Sequence, residues 1–264
     1  KWVDYQDDLE TLFLSVRRRL LQRAKPVPGE RVLDIGCGAG ATTTDLAKLV
    51  GEDGLAVGVD ISRLLLDRAE SRKSDTQNSR LKFLLADALV HFFETDAFDL
   101  MFSQFGVMFF ADPVAAFRNM LYGLRAGGRL SFVSWSAVAG NPWFTVPRDA
   151  AIEQLGKPTP SSPTAPGPLA FANIDRVINI LQDAGFTTCT GDVEQVDLYL
   201  PGTVEDAAFL ASNIGPSARI VTEFNGSTED VAEIARKTEI GFQKYAEEGG
   251  VRVPAMLNFF EATK

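Results

Sequence analysis

Short apolar runs alternate with amphipathic stretches between Arg31 and Trp135, and this rhythm predicts strands separated by helices. The predicted strands are Arg31–Ile35, Leu55–Val59, Leu81–Leu85, Phe98–Phe102 and Arg129–Trp135, and the predicted helices are Thr42–Val50, Arg63–Arg72 and Pro113–Leu124. Near-continuous apolar strands with helices between them are typical of a parallel sheet that is covered on both faces. With right-handed crossovers, the predicted fold class is α/β, a doubly wound and mostly parallel sheet.

The segments on either side of this region follow other patterns. Residues 4–24 repeat apolar positions at helical spacing, and residues 136–172 are rich in Pro, Gly and Ser, which predicts no long element there. The remaining predictions are a helix at Asn173–Ala184, a strand at Thr187–Leu200, two or three helices within 203–247 and a final strand at Arg252–Ala262. The chain therefore reads as one domain of residues 1–264 with two insertions.

Composition and charge exclude several classes of protein. The chain has 264 residues, 45% of them hydrophobic, which is ordinary for a folded globular domain. Its net charge of −9 disfavours a nucleic-acid partner, and the basic run Arg17–Arg19 is interpreted as a solvated helix face. No apolar run is long enough to span a bilayer, and no charged-then-apolar leader opens the sequence, so neither a membrane span nor a secretory signal is expected.

The metal-ligating and nucleophilic residue types are scarce. Cys37 and Cys189 form neither a metal-binding spacing nor a disulfide framework, so we expect no metal site and a reducing cytoplasmic location. His91 is the only histidine, which leaves little material for a histidine-based zinc site or a Ser-His-Asp triad.

The most informative stretch is a glycine-rich turn that ends the first predicted strand and opens a helix. It reads Val-Leu-Asp-Ile-Gly-Cys-Gly-Ala-Gly over residues 32–40. Glycines let the chain turn sharply and bring its backbone against a ligand, and the N–H groups at the following helix start favour an electronegative group. This turn therefore predicts a ligand at the carboxyl end of the strand.

Two acidic residues at neighbouring strand ends indicate what that ligand is. Asp60 ends the second strand twenty residues past Gly40, and a carboxylate there can accept hydrogen bonds from both hydroxyls of a ribose. Asp87 ends the third strand, where a carboxylate can accept from an exocyclic amine such as that of adenine. One edge of the sheet is thus predicted to bind an adenosine.

Asp34 bears on which adenosine compound it is. An anion beside the loop would repel a pyrophosphate, whereas it would attract the ammonium group of an amino acid. The spacing G-x-G-x-G also differs from the G-x-G-x-x-G of dinucleotide-binding loops. A ligand with adenosine at one end and an amino acid at the other is favoured. The alternatives left open are a nicotinamide-dependent oxidoreductase and a non-catalytic module that senses such a ligand.

Five segments in chain order carry a family resemblance: Val32–Gly40, Val57–Ser62, Leu85–Ala88, Phe98–Ser103 and Leu124–Trp135. Together they resemble the motifs of class I S-adenosylmethionine-dependent methyltransferases, especially the small-molecule branch similar to ubiquinone/menaquinone methyltransferases. The resemblance implies a seven-stranded Rossmann-like sheet in the order 3-2-1-4-5-7-6, with the last strand antiparallel. It also implies methyl transfer from S-adenosylmethionine to O, N, S or C of a small molecule, leaving S-adenosylhomocysteine.

The resemblance also implies a set of site residues. Those expected to bind the cofactor are Asp34, Gly36, Cys37, Gly38, Gly40, Asp60, Ile61, Asp87, Ala88, Ser103 and Gln104. Asp60 would take the ribose, Ile61 would pack on adenine, and Ser103 and Gln104 would border the methionine end. Those expected to line the acceptor pocket are Tyr5, Phe105, Met108 and Phe109. No catalytic base is identified.

The same topology assigns roles to longer segments. Residues 26–135 are the predicted cofactor-binding core, residues 1–25 a cap helix, and residues 136–172 and 203–250 helical insertions that cover the substrate. Asn141-Pro142-Trp143-Phe144 mimics a motif of amino-group methylases but follows the fifth strand instead of the fourth, so we interpret it as a turn with packed aromatics. Glu205 and Asp206 are interpreted as charges at a helix N-terminus.

Overall fold

A computed structural model describes residues 5–75, 80–160 and 162–264 of the chain. Its residues divide into two compact units. The first, called the sheet unit here, comprises Arg17–Trp135, Thr164–Glu194 and Leu257–Lys264. The second, called the helical unit, comprises Lys1–Val16 (described from Tyr5), Ser136–Pro163 and Gln195–Met256.

The sheet confirms the predicted doubly wound order. Its strands are β1 (Arg31–Ile35), β2 (Leu55–Asp60), β3 (Leu81–Leu85), β4 (Phe98–Gln104), β5 (Leu124–Trp135), β6 (Thr188–Pro201), β7 (Ala246–Glu247) and β8 (Gly250–Thr263). Their order is β3-β2-β1-β4-β5-β8-β6, and β1 to β5 pair in parallel while β8 runs antiparallel to β5. The described residues contain eight strands instead of seven because the two-residue β7 pairs with β8.

The helices follow the sequence pattern closely in the sheet unit. The ten α-helices of the described residues are α1 (Gln6–Leu12), α2 (Leu14–Ala24), α3 (Ala41–Val50), α4 (Arg63–Ser71), α5 (Pro113–Gly123), α6 (Pro142–Leu155), α7 (Ile174–Ala184), α8 (Val204–Asn213), α9 (Gly215–Glu223) and α10 (Thr228–Phe242). Side-chain caps fix several starts: Ser62 accepts from the N–H of Leu65, and Asp112 accepts from the N–H of Ala115.

The predicted helix at 4–24 is wrong in one respect, because it is two helices that meet at Phe13. Phe13 adopts φ −93° and ψ 10° and donates its N–H to Leu9. Buried apolar residues continue at helical spacing on both sides of the break, and no Gly or Pro marks it. Residue 4 lies outside the described residues.

The absence of a long element in 136–172 is a second wrong prediction, since α6 has 14 residues. Pro142 occupies the first turn, where a missing N–H costs nothing. Pro147 lies inside the helix, and the other prolines of the segment lie beyond Gly156, where the helix has ended. Trp143 and Phe144 are buried in this helix, so the packed aromatics belong to a helix start instead of a turn.

An aromatic core lies under the sheet in the sheet unit. The ring of Phe132 stacks on Phe260 with centroids 4.8 Å apart and tilts against Phe117 at 5.5 Å. Phe171 adds a stacked contact to Phe117 at 6.0 Å. Burial of the apolar area of these large rings favours folding, and their contacts connect α5 with β5 and β8.

The three arginines of α2 have different environments. Arg17 forms an ion pair with Asp45 at 2.8 Å, and Arg19 forms a bidentate pair with Glu194 at 2.7 and 3.0 Å. Arg18 is exposed and the side chain of Arg19 is 40% exposed, so the interpretation of a solvated helix face fails for Arg17 alone among the three. Among the described helices, none is both long enough and apolar enough to cross a membrane.

Candidate functional site

The glycine loop lies between β1 and α3 and is fastened to the end of β2. The N–H groups of Gly36 and Cys37 both donate to the carbonyl of Val59, at 2.8 and 3.1 Å. Gly36 has φ +68°, and a Cβ built on it would lie 2.7 Å from the Cα of Gly106. Gly36 is therefore required for both its backbone conformation and its contact with the turn after β4.

The other two glycines of the loop have different surroundings. Gly38 has φ +55°, and a Cβ on it would meet no described atom within 4 Å, so the side of Gly38 that a side chain would occupy is open. A Cβ on Gly40 would lie 2.7 Å from the ring of Phe83, so that glycine serves the packing of the loop against β3. Gly38 is thus the position where a ligand can approach the main chain.

Asp60 joins the glycine loop to the end of β2. Its Oδ2 accepts from the N–H of Gly38 at 2.9 Å, and its Oδ1 accepts from the N–H of Ser62 at 2.8 Å. A carboxylate offers about four acceptor positions, so about two remain for a ligand. The next side chain, Ile61, is 74% exposed, which leaves an aliphatic surface beside the carboxylate.

The end of β3 lies against the end of β2. Leu85 pairs with Asp60, and the N–H of Ala86 donates to the carbonyl of Asp60 at 3.1 Å. Asp87 is exposed, and its Oδ1 accepts from the N–H of Leu89 at 2.9 Å, while Ala88 is buried. The structure therefore brings the glycine loop, Asp60 and the Asp87 turn to one edge of the sheet.

Asp34 is buried beneath the glycine loop, 1% exposed. Thr43 donates its hydroxyl to Oδ2 at 2.7 Å, whereas Oδ1 has no donor within hydrogen-bond distance in the described parts of the chain. Burial raises the pKa of Asp34 to about 6, against the lowering effect of the Thr43 and Thr42 hydroxyls. The nearby charge of Asp60 also raises it and that of Arg17 lowers it.

This raised pKa predicts a pH dependence of stability. Between about pH 4 and pH 6 the folded state binds more protons than the unfolded state, so Asp34 lowers the free energy of unfolding as pH rises. The free energy of unfolding should fall by about 2–3 kcal/mol across this pH range and stay constant above it. It is measured as the difference between the wild type and Asp34→Asn in urea unfolding at pH 4, 5, 6 and 7. Thr43→Val removes a donor to the carboxylate, so it should raise the upper limit of this pH range. A contribution of Asp34 to stability that increases with pH would contradict the assignment.

Cys37 lies within the loop but is 6% exposed. Burial raises the pKa of its thiol well above the usual range, so the thiol is protonated at neutral pH. The Sγ lies 3.8 Å from the carbonyl of Gly38. The side chain of Cys37 therefore packs, and any contact with a ligand would be made by its backbone.

Ser103 and Gln104 end β4 in contrasting states. The buried hydroxyl of Ser103 donates to the carbonyl of Ile35 at 2.7 Å and accepts from the N–H groups of Gly106 and Val107 at 3.1 and 3.3 Å. It thereby ties the end of β1 to the turn after β4. The buried Oε1 of Gln104, by contrast, has no donor within reach among residues 5–75, 80–160 and 162–264. A buried acceptor left in this state is one that a ligand can satisfy.

Phe105 adopts a backbone conformation that is rare for a bulky residue, with φ +64°. Its N–H donates to the carbonyl of Val133, and its ring stacks on that of Trp135 with centroids 5.1 Å apart and 9° between the planes. Backbone strain of this kind costs about 1–3 kcal/mol and persists where the surroundings enforce it. The half-buried Phe105 ring is thus fixed at the carboxyl ends of β4 and β5.

The other residues expected at an acceptor pocket differ in exposure. Met108 is 3% exposed and belongs to the core of the sheet unit, while Phe109 is 49% exposed. Tyr5, in the helical unit, contacts Phe209 edge-on with centroids 6.1 Å apart. Phe109 therefore keeps a surface that a ligand could contact, whereas the side chain of Met108 does not.

Three further residues that the sequence offered have structural partners. His91 packs edge-on against the ring of Phe93 at 5.0 Å. The buried amide of Asn141 donates to the carbonyls of Ala137 and Met256 and accepts from the N–H of Met256. Its polar atoms are therefore engaged in hydrogen bonds with the backbone. Asp206 forms a capping box with Thr203, whose hydroxyl and N–H lower the pKa of that carboxyl.

Sequence reasoning missed Asn119 and Trp135. Asn119 lies within α5 and donates to two carbonyls of the turn that follows Asp87, at 2.9 and 2.7 Å. Trp135 ends β5 beneath Phe105. No local motif marks either residue. Among the described residues, no group of three or more His, Cys, Asp or Glu side chains is placed to hold a metal ion.

Comparison with known proteins gives one family. The model of the family described as "Methyltransferase domain" matches residues 26–159, about half of the chain. An aklanonic acid methyltransferase of Streptomyces sp. (strain C5) is 35% identical over 135 residues, which cover 51% of this chain and 61% of that protein. A demethylmenaquinone methyltransferase of Oceanobacillus iheyensis is 28% identical over 46% of this chain and 51% of that protein. The chain thus spans less than two thirds of either relative.

Solved structures share the fold over most of the chain. A phosphoethanolamine N-methyltransferase 2 of Haemonchus contortus, solved with S-adenosyl-L-methionine, superposes with a TM-score of 0.57 at 20% identity. The match covers 94% of this chain and 52% of that one. The likeness at this identity concerns the architecture, which agrees with the strand order described above.

Proposed function

This chain belongs to the methyltransferase domain family, in its class I S-adenosylmethionine-dependent, small-molecule branch, and on that premise we propose that it transfers a methyl group from S-adenosylmethionine to a small-molecule acceptor. The observation that carries the proposal is the bond from the N–H of Gly38 to Asp60. This bond places the open side of the glycine loop next to a carboxylate that has spare acceptor positions. A ribose with methionine attached to it requires such an arrangement.

The buried acceptors beside the loop support an amino-acid end on the ligand. Oδ1 of Asp34 and Oε1 of Gln104 both lack donors among the described residues, and an ammonium group offers three. Asp60 would accept from the ribose hydroxyls, Ile61 would pack on the adenine, and Asp87 and Ala88 would read its edge. A pyrophosphate finds no complementary cation in this set of groups.

The bound cofactor would supply a methyl group on a sulfonium, which an acceptor lone pair displaces in line to leave S-adenosylhomocysteine. The contribution of the chain is to align the two reactants and to exclude water. The rigid link from Ser103 to Ile35 and Gly106 supports such alignment because it fixes the two turns that flank the methyl position. We assign no catalytic base.

The acceptor is proposed to be a small molecule of a biosynthetic pathway. The similarity to an aklanonic acid methyltransferase and a demethylmenaquinone methyltransferase supports this class of acceptor, and the net charge of −9 disfavours a nucleic acid. The assignment of residues 1–25, 136–172 and 203–250 to covering the acceptor stays a prediction. The free Cys37 and Cys189 support a reducing, cytoplasmic location.

Phe105 provides a prediction about the acceptor side of the site. Removing its ring in Phe105→Ala should lower kcat/KM for the acceptor about tenfold, since a stacked aromatic surface is lost, with little change in cofactor affinity. Phe105→Gly should lower kcat/KM as much but be more stable than Phe105→Ala by about 1 kcal/mol, because glycine adopts positive φ without strain. Steady-state kinetics and urea unfolding measure the two effects. Unchanged kcat/KM in both variants would remove Phe105 from the acceptor site.

The proposed function is tested first by binding. Calorimetric titration with S-adenosylhomocysteine should give saturable binding, while NAD at the same concentrations should give none. A methyl-transfer assay with a panel of phenolic, carboxylic, quinone and amine metabolites then asks for turnover. Failure to bind S-adenosylhomocysteine would overturn the proposal, and tight binding without turnover across the panel would favour a sensing module.

A further inference from the structure

The turn after β3, residues 87–91, is closed by Asp87 itself. The carbonyl of Asp87 accepts from the N–H groups of Val90 and His91 at 3.1 and 2.8 Å. Its Oδ1 accepts from the N–H of Leu89 at 2.9 Å. These bonds define the shape of the turn, but they leave its orientation relative to the rest of the sheet unit undetermined.

Asn119 fixes that orientation from α5. Its Nδ2 donates one proton to the carbonyl of Ala88 at 2.9 Å and the other to the carbonyl of His91 at 2.7 Å. One amide nitrogen therefore holds both the start and the end of the turn. Asparagine is a poor helix former, so its place in the middle of α5 is not explained by helix stability.

The consequence concerns the groups that would recognise adenine. The peptide plane between Ala88 and Leu89 is held on one side by Asn119 and on the other by the Asp87 carboxylate. The bonds from Val90 and His91 to the carbonyl of Asp87 hold the preceding peptide, which carries the N–H of Ala88. The carboxylate of Asp87 and the N–H of Ala88 therefore belong to one turn that Asn119 orients. We propose that Asn119 is a positioning residue that sets the selectivity of the proposed cofactor site for adenine, an inference that rests on the proposed function.

A second anchor allows this role to be tested without detaching the segment. Phe93 is 5% exposed, and its Cβ lies 3.0 Å from the position that a Cβ on Gly123 would take. The exit of the turn is thus packed on the end of α5 independently of Asn119. Asn119→Ala keeps this packing and favours the helix, so we expect it to fold.

The experiment compares two ligands that differ along one edge of the base. Calorimetry measures the affinities of S-adenosylhomocysteine and of S-inosylhomocysteine, in which oxygen replaces the exocyclic amine and the neighbouring ring nitrogen carries a proton. The wild type should prefer the adenosyl ligand about tenfold or more, since the inosyl ligand turns an oxygen toward the carboxylate of Asp87 and an N–H toward the N–H of Ala88. Asn119→Ala and Asn119→Asp should reduce this preference to about threefold or less. Arg118→Ala, which removes a bond from the neighbouring residue of α5 to the carbonyl of Asp183, should retain it.

The outcomes separate this inference from the proposed function. No binding of S-adenosylhomocysteine to the wild type would overturn the proposed function and this inference with it. Binding without a preference between the two ligands in the wild type would overturn the adenine-edge role alone. Equal loss of affinity for both ligands in the Asn119 variants, with the preference intact, would show that Asn119 only stabilises the fold and would overturn its positioning role.

Discussion

Gly36→Ala is expected to lower the free energy of unfolding by about 2–4 kcal/mol and to weaken S-adenosylhomocysteine binding about a hundredfold. The new Cβ would lie 2.7 Å from the Cα of Gly106, and φ +68° adds strain for any residue other than glycine. Because the obstacle is backbone, no side chain can rotate away. The turn after β4 must shift, and the bonds from Ser103 to Ile35 and Gly106 shift with it. Urea unfolding and calorimetric titration measure the two effects.

Gly38→Ala is the matched control. Its φ of +55° carries a similar backbone strain of about 1–2 kcal/mol, but nothing lies within 4 Å of the added methyl group. Its stability should therefore fall less than that of Gly36→Ala, while ligand binding falls at least about tenfold because the methyl group projects into the proposed cofactor space. If both variants lose equal stability, or if Gly38→Ala binds as the wild type does, this account of the loop is wrong.

Asp60→Ala is the second large effect, with an expected loss of about 3 kcal/mol in S-adenosylhomocysteine binding, on the order of a hundredfold. The substitution would remove the ribose acceptor and also the carboxylate that holds the N–H groups of Gly38 and Ser62. Asp60→Asn should bind almost as poorly. An amide offers one acceptor oxygen, so its NH2 group would face one of the two backbone donors. Calorimetric titration measures both variants.

Asp112→Ala controls for the loss of a carboxylate that accepts a backbone N–H. Asp112 caps α5 through the N–H of Ala115 at 3.0 Å, so the variant should lose about 1 kcal/mol of stability and no ligand affinity. If a folded Asp60→Ala protein binds S-adenosylhomocysteine as tightly as the wild type does, Asp60 does not bind the ribose.

The parts of the site that the sequence predicted are those where backbone geometry restricts the residue type. Positive φ at Gly36 and Gly38 excludes most side chains, so the glycine pattern reveals the loop, and parallel strands bring Asp60 to it. Phe105 has the same kind of φ without a glycine to mark it, because tertiary contacts with Val133 and Trp135 enforce it. Such contacts leave no local pattern.

The same distinction applies to the fold. The burial of nearly every residue in β1 and β4 made the sheet predictable. The helix break at Phe13 lacks a Gly, a Pro or a change in apolar spacing, so the sequence could not locate it. Asn119 could not be predicted for a further reason. Its partners are backbone carbonyl groups, which every residue has, so no residue type in the sequence indicates the contact.

The contact between Gly36 and Gly106 constrains how this protein can diverge. Two main chains touch there with no side chain between them, so no compensating mutation can restore the fit by trimming a neighbour. Directed evolution toward new acceptors is therefore expected to retain both glycines and to change Phe105 and the residues around its ring. Libraries that spare residues 36 and 106 should return a larger fraction of folded variants than libraries that randomise them.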